Sequence, residues 1–146
     1  MSVASNFFSA EQKTKIVDAV KQAELNTSGE IRVHLENNCK EDVLDHAAFI
    51  FDKLEMHKTE LRNGVLFYLA AKDHKFAILG DSGINEKVPD HFWEDIKELM
   101  SGEFKQGRFT EGLSKGIIMA GEQLKTHFPF QSDDVNELSD DISIGS

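Results

Sequence analysis

One alternation constrains the fold more than any other feature of the chain. In Glu30-Ile-Arg-Val-His-Leu-Glu36, Ile31, Val33 and Leu35 share one face while Glu30, Arg32, His34 and Glu36 share the other. That is the period of a β-strand, with at least one face half-solvated. Val43, Ala47, Ile50, Phe51 and Leu54 then recur at helical spacing, which predicts an amphipathic helix over 41–56. Gly64-Val-Leu-Phe-Tyr-Leu-Ala-Ala71 is a nearly continuous apolar run of strand type. Strand, helix and strand form a βαβ unit, so 30–36 and 64–71 are expected to be parallel. The turn Lys72-Asp73-His74 leads at once into Lys75-Phe-Ala-Ile-Leu79, a third strand returning as a hairpin.

Helices flank this unit. Ser9-Ala-Glu-Gln12 reads as a capping box before Ile16, Val17, Val20 and Ala23, predicting a helix over 10–25. Pro89 suits the first turn of another, with Phe92, Trp93, Ile96, Leu99 and Met100 on its core face. A last helix is expected over 110–126, where Gly112, Gly116 and Ala120 form a small-residue strip that lets another element pack closely. The expected class is α/β, with helices against a small mixed β-sheet.

A chain of 146 residues buries a core without disulfides. Its net charge of −10 is half due to residues 131–146, where Asp133, Asp134, Glu137, Asp140 and Asp141 occur without Lys or Arg. That stretch reads as an acidic, disordered tail after a domain spanning 1–130. Such acidity repels nucleic-acid backbones and anionic membranes, and points to a metal ion or a cationic protein partner instead. Cys39 is the sole cysteine, no apolar stretch reaches ~18 residues, and no leader pattern is recognisable at the start. A soluble cytoplasmic protein is the simplest expectation.

Gly80-Asp-Ser-Gly83 looks like the nucleophile string of serine hydrolases, but a serine attacks only when a histidine oriented by an acid takes its proton. The chain is too short for two trypsin-like barrels, and no Asp-x-x-His pair ends at His127. The hairpin offers another role. It returns Gly80-Asp81 to the start of its partner at Arg62-Asn63-Gly64, beside Ser28-Gly29-Glu30 on the parallel strand. Glu30, Asn63, Asp81 and Asp90 then become candidate ligands for a hard divalent cation such as calcium, with Ser82 and Asn85 close by. Gly80 and Gly83 are expected to supply positive-φ backbone. The competing structural reading is a turn in which Asp81 and Ser82 cap their own backbone. Glu36, Asn37, Asn38, Asp73 and His74 gather at the opposite pole, where α/β sheets commonly bind ligands. His34, His46, His57 and His127 have no metal-ligand spacing and read as surface or satisfied core histidines.

Thr27-Ser-Gly-Glu-Ile-Arg-Val33, Asn63-Gly-Val-Leu66, Gly80-Asp-Ser-Gly-Ile84, Asp90, and Phe104-Lys-Gln-Gly-Arg-Phe109 before Gly112-Leu113 occur in an order that resembles the TPM domain family. The family takes its name from a thylakoid lumen protein, a photosystem II repair factor and a nematode receptor modulator. The resemblance covers most of residues 10–128 and implies a three-layer α/β/α sandwich around a small mixed β-sheet. It also implies binding of calcium or another divalent ion, as in some members, and acid phosphatase activity, as ascribed to plant ones. Arg62 stands where many members carry an acidic residue, which weakens a phosphate-cleaving metal site. Cys-x5-Arg and Asp-x-Asp phosphatase motifs are absent. The expected function is therefore a divalent-metal-binding module with weak or no hydrolysis. The alternatives are a metal-assisted acid phosphatase acting on phosphomonoesters and a protein-interaction module without catalysis.

Overall fold

The computed structural model describes residues 7–25, 27–59, 61–89, 91–129, 138 and 140–145. The elements in chain order are α1 (Ala10–Glu24), β1 (Glu30–Glu36), α2 (Val43–Lys53), β2 (Gly64–Ala70), β3 (Lys75–Gly80), α3 (Ser82–Asn85), α4 (Glu94–Lys105), α5 (Phe109–Leu124) and β4 (Ser143–Ile144), with a 3-10 turn at Met56–Lys58. The capping box closes α1: Ser9 Oγ accepts from Gln12 N and Gln12 Oε1 from Ser9 N. Asp42 caps α2 through the amides of Leu44 and Asp45.

The sheet order is β3-β2-β1-β4. β1 pairs parallel to β2, with Glu30 opposite Gly64, and β2 pairs antiparallel to β3, with Val65 opposite Gly80. Period-two alternation divides the strands between two cores. Ile31, Val33, Leu35, Val65, Phe67 and Leu69 meet the apolar faces of α1, α4 and α5. Leu66, Tyr68, Ala70 and Ala77 meet Ala47, Ile50 and Phe51 of α2. The result is the three-layer α/β/α sandwich around a mixed sheet.

Three details differ from the sequence expectations. The residues of 131–146 that the structure describes include β4, which adds in parallel at the free edge of β1, with His34 opposite Ser143 and Leu35 opposite Ile144. Residues 131–137, 139 and 146 lie outside the described residues. The polar face of β1 is not half-solvated: Glu30, His34 and Glu36 are buried, and only Arg32 is partly exposed. Finally, Gly80 and Gly83 do not have positive φ, whereas Arg62 does, at 51°. Gly83 is small because a Cβ there would lie 2.2 Å from Leu61 O and 2.5 Å from Arg62 O. The strip on α5 serves packing, since Gly112 faces Phe104 and Gly116 faces Met100.

Candidate functional site

The hairpin brings the expected pole together through its backbone. Glu30 N donates to Asn63 O at 3.2 Å, Asp81 N to Gly64 O at 2.9 Å, and Gly83 N to Arg62 O at 2.9 Å. Asp90 lies outside the described residues. Side-chain polar atoms of the other three are already engaged within the chain. Asp81, 6% exposed, receives two hydrogen bonds from Arg62, Nε to Oδ2 at 2.8 Å and Nη2 to Oδ1 at 2.9 Å, and one from its neighbour Ser82 N. Asn63 Nδ2 donates to Ser28 O, and Glu30 Oε1 accepts from Leu138 N at 2.7 Å. The guanidinium supplies Asp81 with the positive charge that a metal would bring, and a cation there would meet Arg62 first. The residues around Asp81 therefore do not fit a divalent ion. Asp81 instead caps α3, a single turn in which Ser82 is exposed and makes no side-chain hydrogen bond among the described residues.

Around the amino end of β1 a second carboxylate set appears. Glu24, at the end of α1, accepts from Ile31 N at 2.9 Å. Burial first, and then a side-chain hydrogen bond with Asp140 in the C-terminal segment, push its carboxyl from 4.5 up to about 9; the charges of Asp140 and Glu30 add to the rise. Ile31 N opposes this without reversing it. Glu24 and Asp140 are thus two hydrogen-bonded acidic side chains, with the negative charge of Glu30 nearby. Among the described residues, no group of three or more His, Cys, Asp or Glu side chains is placed so that it could by itself hold a metal ion.

The opposite pole holds a tighter network. Glu36 Oε1 accepts from Tyr68 OH at 2.7 Å and His46 Nε2 at 2.6 Å, and Oε2 lies 3.2 Å from His34 Nε2. His46 Nδ1 reaches Glu41 Oε1 at 2.6 Å, and His34 Nδ1 pairs with Ser143 Oγ at 2.8 Å. Burial opposes the charge on both Glu36 and His46. For Glu36 it is outweighed by the donors Tyr68, His34 and His46, which hold its carboxyl below the usual range. For His46 it is outweighed by Glu41 and Glu36, which raise the ring's pKa. Burial lowers that of His34. Both nitrogens of His46 face carboxylate oxygens, so the ring serves as a doubly protonated bridge between the end of β1 and the Glu41 turn. A cleft of about 520 Å³, lined by Glu36, Asn38, Lys40, Glu41 and His46, opens beside it. Asp73 closes the turn by accepting from Cys39 N and Asn38 Nδ2. Sequence spacing did not single out His34 or His46. The usable signal was that His34 and Glu36 lie two apart on one strand face.

The sandwich, its sheet order and the two polar ends define a class of small α/β domains, and residues 1–123 match the TPM domain. The chain belongs to the TPM domain family. It is similar to the BA42 protein of the psychrophilic bacterium Bizionia argentinensis, whose NMR structure superposes with a TM-score of 0.91 at 49% identity over 95% of this chain and 96% of that one. Its fold is shared by the N-terminal domain of a P. gingivalis protein, with TM-score 0.68 and 19% identity over 83% and 78% of the two chains. The N-terminal domain of a Corynebacterium glutamicum protein shares it too, with TM-score 0.63 and 12% identity over 94% and 81%. No curated protein gives a significant match. No helix among the described residues is long and apolar enough to cross a membrane.

Proposed function

We propose that this TPM domain binds a divalent cation, calcium by its donor chemistry, at the edge where Glu24, Glu30 and Asp140 approach one another. The carrying observation is the buried Glu24 carboxyl hydrogen-bonded to the Asp140 side chain, which keeps a proton that a divalent ion would replace. Of the residues expected from sequence, Glu30 belongs to this set, whereas Asn63 and Asp81 act as structural partners of Ser28 and Arg62. Bound here, the ion would tie the end of α1 and the start of β1 to the C-terminal segment. Its contribution is conformational, and the domain has little or no hydrolytic turnover of its own. An ion that binds only the folded chain raises the melting temperature by mass action. The test is thermal unfolding with and without calcium. Wild type and Asp81→Asn should both gain stability from the ion, while Glu24→Gln and Asp140→Asn should lose most of that gain. Equal gains in all four proteins, or none in any, would overturn the proposal.

A further inference from the structure

The described residues after Pro129, which are 138 and 140–145, form a strap along β1. Leu138 N donates to Glu30 Oε1 at 2.7 Å, Ser143 Oγ pairs with His34 Nδ1 at 2.8 Å, and Gly145 N donates to Leu35 O at 2.7 Å. These contacts advance together along both segments, as the parallel pairing of His34 with Ser143 and of Leu35 with Ile144 requires. The whole strap lies after residue 123, where the match to the TPM domain ends. Without it, the outer side of β1 is the open edge of a sheet, and an extended chain pairs readily with such an edge.

The strap is held as a ligand is held, not as a core element. Every buried apolar side chain among the described residues lies between Phe8 and Phe128. Leu138 and Ile142 are only partly buried against the two cores, and Ile144 is 41% exposed. Yet the seat selects its occupant. His34 offers a ring nitrogen to the hydroxyl at position 143. At position 145 a Cβ would lie 2.5 Å from Glu36 Oε2 and 3.0 Å from His34 Nε2. The Glu36 carboxylate does not swing aside cheaply, because Tyr68 OH and His46 Nε2 hold its other oxygen at 2.7 and 2.6 Å. The edge therefore reads an apolar residue, then a hydroxyl, then, two residues further on, a glycine.

We propose that the outer edge of β1 is a strand-docking site, with the strap as its built-in competitor. Its external occupant is an extended peptide of a partner protein, running parallel to β1 and carrying an apolar residue, Ser or Thr, any residue and Gly in succession. The strap must leave before the partner docks, so it lowers the partner's apparent affinity by the fraction of time it stays seated. A covalent tether presents its end at roughly millimolar effective concentration. The same sequence free in solution should then bind an emptied edge with a dissociation constant of about 1 mM or below.

The probe is a synthetic peptide with the sequence of residues 138–145, added to the full-length chain carrying Gly145→Ala, whose own strap no longer seats. Two-dimensional NMR follows the binding, and a chelator keeps the result independent of any ion at Glu24. The expected result is a saturable shift of the amides over 31–36. A peptide that itself carries Gly145→Ala should bind about tenfold more weakly or worse, and the wild-type chain should bind the native peptide more weakly than the variant chain does. If Gly145→Ala leaves the strap in place, Ser143→Pro removes a backbone donor from it and empties the edge instead. The proposal is overturned by the absence of a saturable shift in both variants at about 5 mM peptide, by equal affinity for the two peptides, or by equal affinity of wild-type and emptied chains. Dimerisation of the wild type through the same amides, seen by sedimentation at rising concentration, would assign the edge to a second copy and overturn the partner peptide.

Discussion

Arg62 holds the buried carboxylate of Asp81 through two parallel hydrogen bonds of 2.8 and 2.9 Å, from a backbone position with φ of 51°. The pair knots the turn before β2 to the turn after β3, and Gly83 N on Arg62 O completes the crossing. Arg62→Gln should lower the melting temperature, because it leaves an almost fully buried carboxylate without its cation. Asp81→Asn should lower it less, since the amide oxygen still accepts one bond. Thermal unfolding of both single variants and the double variant checks this, and the double change should cost less than the two single costs added.

Gly83→Ala tests the same crossing sterically. Its Cβ would enter the space of two backbone carbonyl oxygens, which cannot swing aside like a side chain. The expected loss is about 2–3 kcal/mol, measured by denaturant unfolding. A loss near zero would mean that the two turns do not approach this closely.

Glu24 makes stability pH-dependent in a known direction. Its carboxyl titrates at about 9 in the fold against 4.5 for the ordinary group, so it favours folding fully below pH 4.5, and that advantage is lost as pH rises toward 9. Glu24→Gln removes the penalty of ionisation. Without calcium, the variant should be more stable than wild type at pH 8, by about 1–3 kcal/mol, and show little difference at pH 4. Unfolding curves at the two pH values check the sign.

His46 and Glu36 define a second window. His46 titrates above its ordinary 6.5, so its bridge contributes fully below that value and is lost as pH rises through the folded one. Glu36 titrates below its ordinary 4.5, so its contribution is present above 4.5 and lost as pH falls through the folded value. Amide hydrogen exchange over 37–42 should therefore quicken, beyond the intrinsic pH effect, once His46 deprotonates. His46→Gln should remove this extra step.

The elements with strong periodicity were legible in the sequence. β1 matches its expected bounds, α1 matches within one residue, and the hairpin delivers Asp81 to Gly64 as its geometry required. Elements held by tertiary contacts were not. β4 has two residues, too few for an alternation, and depends on the edge of β1 and on the His34–Ser143 bond. α4 starts at Glu94 instead of near Pro89, while Phe92 and Trp93 still pack against the core from the preceding turn. The sequence places the candidate cation ligands at the amino end of β1 through Glu30, but it treats Arg62 as a departure from a family pattern, whereas in the structure Arg62 is the partner of Asp81. Glu24 escaped notice because its exposure to Asp140 depends on a segment read as a tail.

Addition of calcium to the full-length chain, followed residue by residue in two-dimensional NMR, tests the central claim most directly. The account predicts saturable shifts centred on Glu24, Glu30, Ile31 and Asp140, abolished in Glu24→Gln and retained in Asp81→Asn. Shifts centred instead on Arg62, Asn63 and Asp81, or on Glu36, Glu41 and His46, or no saturable shift at all, would contradict it.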